Sequence, residues 1–244
     1  MSRIRRIAPG LGRGGLLGNT EGPESYLREL DTLPSQFCRA TGGTETVISQ
    51  GGKYYRVHTF TDTDPTSLLL NFDGSNGSTT FTDDSGWGHA VTANGNSAIS
   101  TTESRFGGSS LALDGTGDYL SVAASAQLAL QAGAFTIEAW VHPLVTNTFQ
   151  TIFESRTSAF DAAGLTFQIT NTGTVEAYSN GSISSSATLT ANQWTHLALV
   201  REGTGTNQTK IYINGVNDGT GTNSNTLSRT VIAIGKTFDN LYFN

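Results

Sequence analysis

From Ser67 onward the chain is a succession of short runs in which apolar and polar residues alternate, each closed by Gly, Asn or Asp, and this pattern restricts its fold more than anything else in it. The runs SLLLNF, SSLALD, DYLSVA, FTIEAWVHP, QTIFES, LTFQIT, TVEAYS, WTHLALVRE, TKIYING and TVIAIG recur at spacings of roughly 8 to 15 residues. Alternation with period two turns one face of each run toward a core and the other toward solvent. An all-β sandwich over residues 67–244 is therefore predicted. Between Ile211 and Val216 the Asn214-Gly215 dipeptide predicts a type I′ hairpin turn, because both residues tolerate positive φ. Composition agrees: 29 glycines and only 14 % charged residues suit short strands joined by tight turns.

The first 66 residues follow a different pattern. Residues 1–13 carry Arg3, Arg5, Arg6 and Arg13 and no acid. With Pro9, Gly10, Gly12, Gly14, Gly15 and Gly18, residues 1–22 read as an extended basic arm that orders only against something else. PESYLRELDTLP predicts a short helix, with Pro23 in its first turn and Pro34 as its stop. TETVISQGGKYYRVHTFT, residues 44–61, predicts a hairpin turning at Gln50-Gly51-Gly52, which is marginal alone and must pack on the main domain, a sister subunit or a larger assembly. Asp62, Asp64 and Pro65 mark a linker, so the organisation is an arm (1–22), a helix-plus-hairpin unit (23–66) and the sandwich (67–244).

Charge and cysteine usage remove several classes. Residues 67–244 hold 13 acids against 6 bases, which excludes a nucleic-acid face across the domain and leaves the arm suited to docking on a protein partner. No stretch is apolar enough to span a membrane, and MSRIRRIAPGLGRGGLLG lacks the apolar run of a secretory signal. Cys38 is the only cysteine. It leaves no intrachain disulfide or cysteine zinc site and reads as a small buried hydrophobe.

The segments SLLLNFDG, TDDSGWGHAVTANG, SRFGGSSLALDGTGDYLSV, GAFTIEAWVHP, NQWTHLALVRE, KIYINGV and AIGK follow one another in an order that resembles laminin-G-like domains of the concanavalin-A-like lectin/glucanase superfamily. The resemblance covers residues 67–244 and implies a jelly-roll sandwich of two antiparallel sheets, one with a concave face. It says less of function, since the fold hosts lectins, adhesion modules, pentraxin-like binders and glycanases. The family's closing strand, with a motif like G-Y-I-D-D-(V/I/L)-R-I, has no counterpart before Asn244, so SLLLNF is expected to have an open edge. Truncation of a longer protein is the preferred explanation; otherwise the hairpin at 44–61 or a neighbouring subunit supplies the strand. TGGTETVISQGGKYYRVHTFTDTDP resembles Gly-rich Y-x-x-H-x-F-T segments of tailed-phage structural and fibre proteins.

Hydrolysis of glycosides needs two carboxyl groups, and FTIEAWVHP holds one acid where the family's glucanases cluster several. Glu154 or Glu176 would have to approach Glu138 in space. Alternation turns Phe135, Ile137, Ala139 and Val141 one way and Thr136, Glu138, Trp140 and His142 the other. On a concave face Trp140 would stack on a sugar and Glu138 would accept its hydroxyls; as framework residues both would be structural. Trp87, Tyr178 and Trp194 complete the candidate glycan set. The resemblance also implies calcium held by loop oxygens, with Asp73, Asp83, Asp84, Asp114 and Asp118, beside Asn94, as candidates, although such residues also cap turns. His89, His142 and His196 do not cluster with other ligand types, and no phosphate loop, dinucleotide fingerprint or nucleophile elbow is present.

These readings combine into an expectation: a non-enzymatic phage virion protein, capsid decoration or tail fibre, docked by Arg3, Arg5, Arg6 and Arg13. Its laminin-G-like domain would bind host-surface glycans from the particle surface, with other virion proteins and copies of itself as partners. The alternative is a bacterial cell-surface adhesion or carbohydrate-binding module.

Overall fold

The computed structural model describes residues 3–5, 44–50, 53–59 and 66–244, and the chain divides into two compact units, Ile7–Pro65 and the rest. In chain order the strands are β1 (Arg3–Arg5), β2 (Thr44–Gln50), β3 (Lys53–Thr59), β4 (Leu69–Leu70), β5 (Val91–Asn94), β6 (Ala98–Ser100), β7 (Ser110–Ala112), β8 (Tyr119–Val122) and β9 (Phe135–Val141). They continue as β10 (Gln150–Glu154), β11 (Thr166–Ile169), β12 (Thr174–Tyr178), β13 (Ser182–Thr188), β14 (Thr195–Arg201), β15 (Thr209–Ile213), β16 (Val216–Gly221) and β17 (Ile232–Ile234).

Within the unit Ile7–Pro65, β2 and β3 pair from Thr44↔Thr59 to Gln50↔Lys53; Gly51 and Gly52, where the turn was expected, lie outside the described residues. The short helix expected at PESYLRELDTLP and the docking arginines Arg6 and Arg13 lie outside the described residues, as does Cys38.

The other unit is a sandwich. One sheet has the order β16-β15-β14-β9-β1-β4 and the other β13-β12-β11-β10-β17-β8-β5, with β6 and β7 as a small separate pair. Burial along β9 alternates residue by residue, with Phe135, Ile137, Ala139 and Val141 buried and Thr136, Glu138 and Trp140 partly exposed. Leu197 and Leu199 of β14 stand opposite Ala139 and Ile137. From the other sheet Leu120, Phe153, Phe167, Ile169, Val175, Ile232 and Ile234 close the core, each such buried side chain stabilising by about 1.5–3 kcal/mol. The β15–β16 hairpin turns at Asn214-Gly215 with φ of 50° and 81°, as a type I′ turn requires.

The core also contains a cation. Arg201 ends β14 fully buried, stacked at 4.7 Å over the Phe135 ring. Its Nε donates to the Gly133 carbonyl and its Nη1 to the Asn225 carbonyl, both at 2.9 Å, and its Nη2 donates to the Gln131 carbonyl. Three carbonyls from two loops thus converge on one guanidinium, which clamps the start of β9 to the 223–227 segment.

At the first strand the structure departs from the sequence reading. SLLLNF forms only the two-residue β4, because the chain leaves the ladder at Phe72 in a left-handed conformation, φ 57°. The position between β4 and β9 is filled by β1, whose Ile4 stands in register with Leu70 on one side and Ala139 on the other. Arg3 and Arg5 pair with Trp140 and Glu138. Part of the presumed free arm therefore orders against the chain's own sheet. On β4's other side the Leu69 N–H donates to Asp83 Oδ1 at 3.0 Å and the Leu69 carbonyl accepts from Asp84 N–H at 2.8 Å. A side chain thus does part of the work of a neighbouring strand and covers the edge.

Candidate functional site

Because Phe167, Ile169, Val175 and Ala177 point into the core, the intervening residues of β11 and β12 form the opposite face of the seven-stranded sheet. Two rows cross it. Ser182, Tyr178, Thr166, Glu154, Ala233, Ser121 and Thr92 stand opposite one another in turn across all seven strands. Beside them run Ser184, Glu176, Gln168 and Thr151. Every residue in both rows is polar, aromatic or small, and the face carries no large aliphatic side chain along them.

Gln168 is the centre of this face. It is 7 % exposed, its Nε2 donates to Glu176 Oε2 at 2.8 Å, and its Oε1 is buried without a hydrogen-bond partner among the described residues. A carboxylate can only accept, so the Glu176 contact fixes which end of the amide is oxygen. An unmet buried acceptor costs about 1–3 kcal/mol. A hydroxyl donated from outside would relieve that cost.

Next to it stands a stacked cation. The Arg156 guanidinium lies 4.7 Å from the Tyr178 ring centre and 5.0 Å from that of Phe238. Its Nη2 donates to Glu154 Oε2 at 3.2 Å, and Thr166 Oγ1 donates to the same oxygen at 2.8 Å. Glu154 Oε1 accepts the Arg156 backbone N–H at 2.7 Å. Burial pushes the Glu154 carboxyl up, opposed by the Arg156 charge and these hydrogen bonds. Both oxygens are occupied, so Glu154 positions Arg156 and, through it, the aromatic rings.

The 157–163 loop beside Arg156 is pinned by Asp161, which accepts from Thr157 N–H, Thr157 Oγ1, Ala163 N–H and Arg229 Nε. Burial alone would raise its pKa, but the Arg229 hydrogen bond and the other donors outweigh it and lower the carboxyl from 3.8 to about 2. A depressed carboxyl stabilises the fold above its unfolded pKa, and that contribution disappears as pH falls through the folded value. The melting temperature is expected to drop between pH 4 and about 2, and Asp161→Asn to drop less over the same window. Equal drops in both proteins would assign the acid sensitivity elsewhere.

The residues singled out in the sequence do not converge on one site. Glu138 and Trp140 lie on the outer face of the six-stranded sheet. His196 Nε2 is 3.5 Å from Glu138 Oε2. Trp140 is already engaged by the Arg105 guanidinium at 4.5 Å, the Phe106 ring edge-on at 5.6 Å and the His196 ring at 5.3 Å. It anchors the 103–108 loop. Tyr178 lies on the opposite sheet, in the face described above. Trp194 packs on His142 at 5.2 Å with its indole N–H buried and unpaired among the described residues. Trp87 sits in the 83–89 loop, 46 % exposed. Glu154 and Glu176 belong to the sheet across the core from Glu138. Stacked sheets lie about 10 Å apart, and these side chains point away from each other, so Glu138 has neither as a partner for glycoside hydrolysis.

The calcium candidates also separate. Asp83 is turned onto the N–H groups of Leu69, Ser85 and His89, onto Ser85 Oγ and onto His89 Nδ1. Burial raises its pKa, yet these donors prevail and hold it below the usual value. Asp118 accepts from the Asn96 and Asp114 N–H groups, and Asp114 from Thr116 N–H and Asn96 Nδ2. Asp73 and Asp84 line a shallow cleft of about 140 Å³ with Asn71 and Thr80, and Asn71 Nδ2 donates to Asp84. Among the described residues no three His, Cys, Asp or Glu side chains are grouped to hold a metal ion. Asp83, Asp84, Asp114 and Asp118 act here as turn caps and strand braces, a use that their spacing in loops does not distinguish from ligation.

The sequence reading missed Gln168, Arg156 and Phe238 and considered Glu176 only as a partner for Glu138. Alternation in LTFQIT already separated Thr166 and Gln168 from Phe167 and Ile169. Nothing local signals that Phe238 meets Arg156.

With this geometry in place, comparison with known proteins gives the class. The profile of the Concanavalin A-like lectin/glucanases superfamily matches residues 114–244, more than half of the chain. The chain belongs to that superfamily. Among solved structures it is similar to domain 4 of AbnA, a GH43 extracellular arabinanase from Geobacillus stearothermophilus, in complex with arabinotriose. There the identity is 20 % and the TM-score 0.52, covering 67 % of this chain and 81 % of that one. It is also similar to the native heptameric SAP-like pentraxin from Limulus polyphemus, at 18 % identity and TM-score 0.38, over 52 % and 62 % of the two chains. No curated protein matches the chain. Among the described residues no helix is long and apolar enough to cross a membrane.

Proposed function

We propose that the chain is a non-enzymatic glycan-binding protein that holds a saccharide on the outer face of its seven-stranded sheet. The observation that carries this is the buried, unmet acceptor Gln168 Oε1, set between Glu176 and the Tyr178–Arg156–Phe238 stack. Sugar hydroxyls would supply the missing donor, and an aromatic ring provides a platform for the apolar face of a pyranose or furanose. Among the described residues Glu138 has no second carboxylate beside it, and Glu154 is held by its own hydrogen bonds, which supports binding without hydrolysis.

In the finer reading the domain is displayed on the surface of a phage particle, where weak single-site binding gains from many copies. The basic residues of the arm and the similarity of residues 41–65 to phage fibre segments support that placement. Backbone pairing of Arg3–Arg5 into the sandwich favours the second reading, a bacterial cell-surface adhesion or carbohydrate-binding module, because that part of the arm belongs to the domain.

The test is calorimetric titration with an oligosaccharide panel that includes arabinotriose, the saccharide bound to the AbnA domain. The full chain is expected to bind at least one member, and Gln168→Leu to bind it about tenfold more weakly. Absence of binding across the panel would refute the proposal.

A further inference from the structure

Resting on that glycan reading, we infer that the site selects neutral saccharides over acidic ones and that Glu176 is its specificity-determining residue. Along β10, β11 and β12 the described charges of this face are matched except for one, while Lys236, after β17, lies over the Tyr119 and Tyr242 rings. Glu154 is paired with Arg156, and Asp161 with Arg229. Glu176 makes one hydrogen bond, from Gln168 Nε2 at 2.8 Å, and has no ion-pair partner among the described residues. Its carboxylate therefore stands beside the Gln168 amide, whose Oε1 is the unmet acceptor. A vicinal diol satisfies both by donating twice. A uronate keeps its ring hydroxyls but brings a second negative charge toward Glu176. At a separation of about 5 Å on a half-exposed surface, that repulsion corresponds to roughly tenfold in affinity. Arg156, a cation of this face, already has its charge matched by Glu154 and its guanidinium stacked by two rings.

The experiment uses the full chain on immobilised oligosaccharides in matched pairs, each a neutral oligosaccharide and the same backbone bearing uronate groups, at about 20 mM and then about 300 mM salt. Neutral members are expected to bind about tenfold tighter at low salt, and the gap to narrow at high salt. Glu176→Gln is expected to reduce the neutral-to-acidic ratio about tenfold, mostly by strengthening the acidic member. Acidic members binding as tightly as neutral ones, or a ratio unmoved by both salt and Glu176→Gln, would overturn the inference while leaving glycan binding intact. Binding to no member would overturn the glycan reading itself, and is told apart by the silence of the neutral half. The salt series on the wild-type chain carries the test even where the variant fails to fold.

Discussion

Replacing Arg201 by methionine is expected to destabilise the sandwich by about 3 kcal/mol, because a side chain of similar length removes this buried donor from the Gly133 and Asn225 carbonyls and leaves Gln131 with only the Leu227 N–H. For a domain of this size that corresponds to a melting temperature lower by about 10 °C. Among the described residues Arg201 has no carboxylate partner; its hydrogen bonds go to the carbonyls of Gly133, Asn225 and Gln131. Lysine offers a point charge that cannot span three acceptors and is expected to rescue little. Thermal unfolding followed by circular dichroism decides it: a methionine variant melting within a few degrees of wild type would show that these loops hold without the guanidinium.

Asp83→Ala carries the second large effect, about 3 kcal/mol, from three backbone N–H groups and an imidazole left without their acceptor. Its carboxylate joins Leu69 of the first strand to Ser85 and His89 of the next loop. Losing it uncovers the edge of β4 as well as the turn, so aggregation on heating is expected with the lower melting point. The loss should be the same with calcium and with chelator. A difference between the two would return Asp83 to the role of metal ligand.

How far the sequence shows the structure depends on how far apolar alternation extends. All ten runs read from Ser67 onward contain a strand, and the core face of β9 follows Phe135, Ile137, Ala139 and Val141. β5, β6, β13 and β16 were not legible, since VTAN, AIS, SISSSAT and VNDGTG are short or polar. In β16 the glycines that disguise the strand have a physical cause. A Cβ at Gly219 would stand 2.7 Å from the Ser184 carbonyl oxygen and one at Gly221 2.6 Å from Ile183 Cγ1. The two sheets approach there more closely than a side chain allows. β1 was hidden for another reason: Arg-Ile-Arg is too short for a pattern, and its partners lie more than 60 residues away, the nearest being Arg5↔Leu69.

The candidate site was legible only in part. Tyr178 was named, and alternation in LTFQIT implied where Gln168 would face, but the features that define the site are long-range. Arg156 reaches Tyr178 and Phe238 from a loop, and the orphaned oxygen of Gln168 becomes evident only when every neighbour is placed. Conversely, Trp140 in FTIEAWVHP suggests a sugar platform, whereas Arg105, Phe106 and His196 already surround its ring.

The central claim is the location of the ligand, and the most direct measurement is a map of backbone and side-chain amide NMR shifts on adding the best-binding saccharide. The account predicts the largest shifts at the Gln168 side-chain amide, with Glu176, Tyr178 and Ser184 around it. Shifts centred instead on Trp140 and His196, or on Trp194, would contradict it.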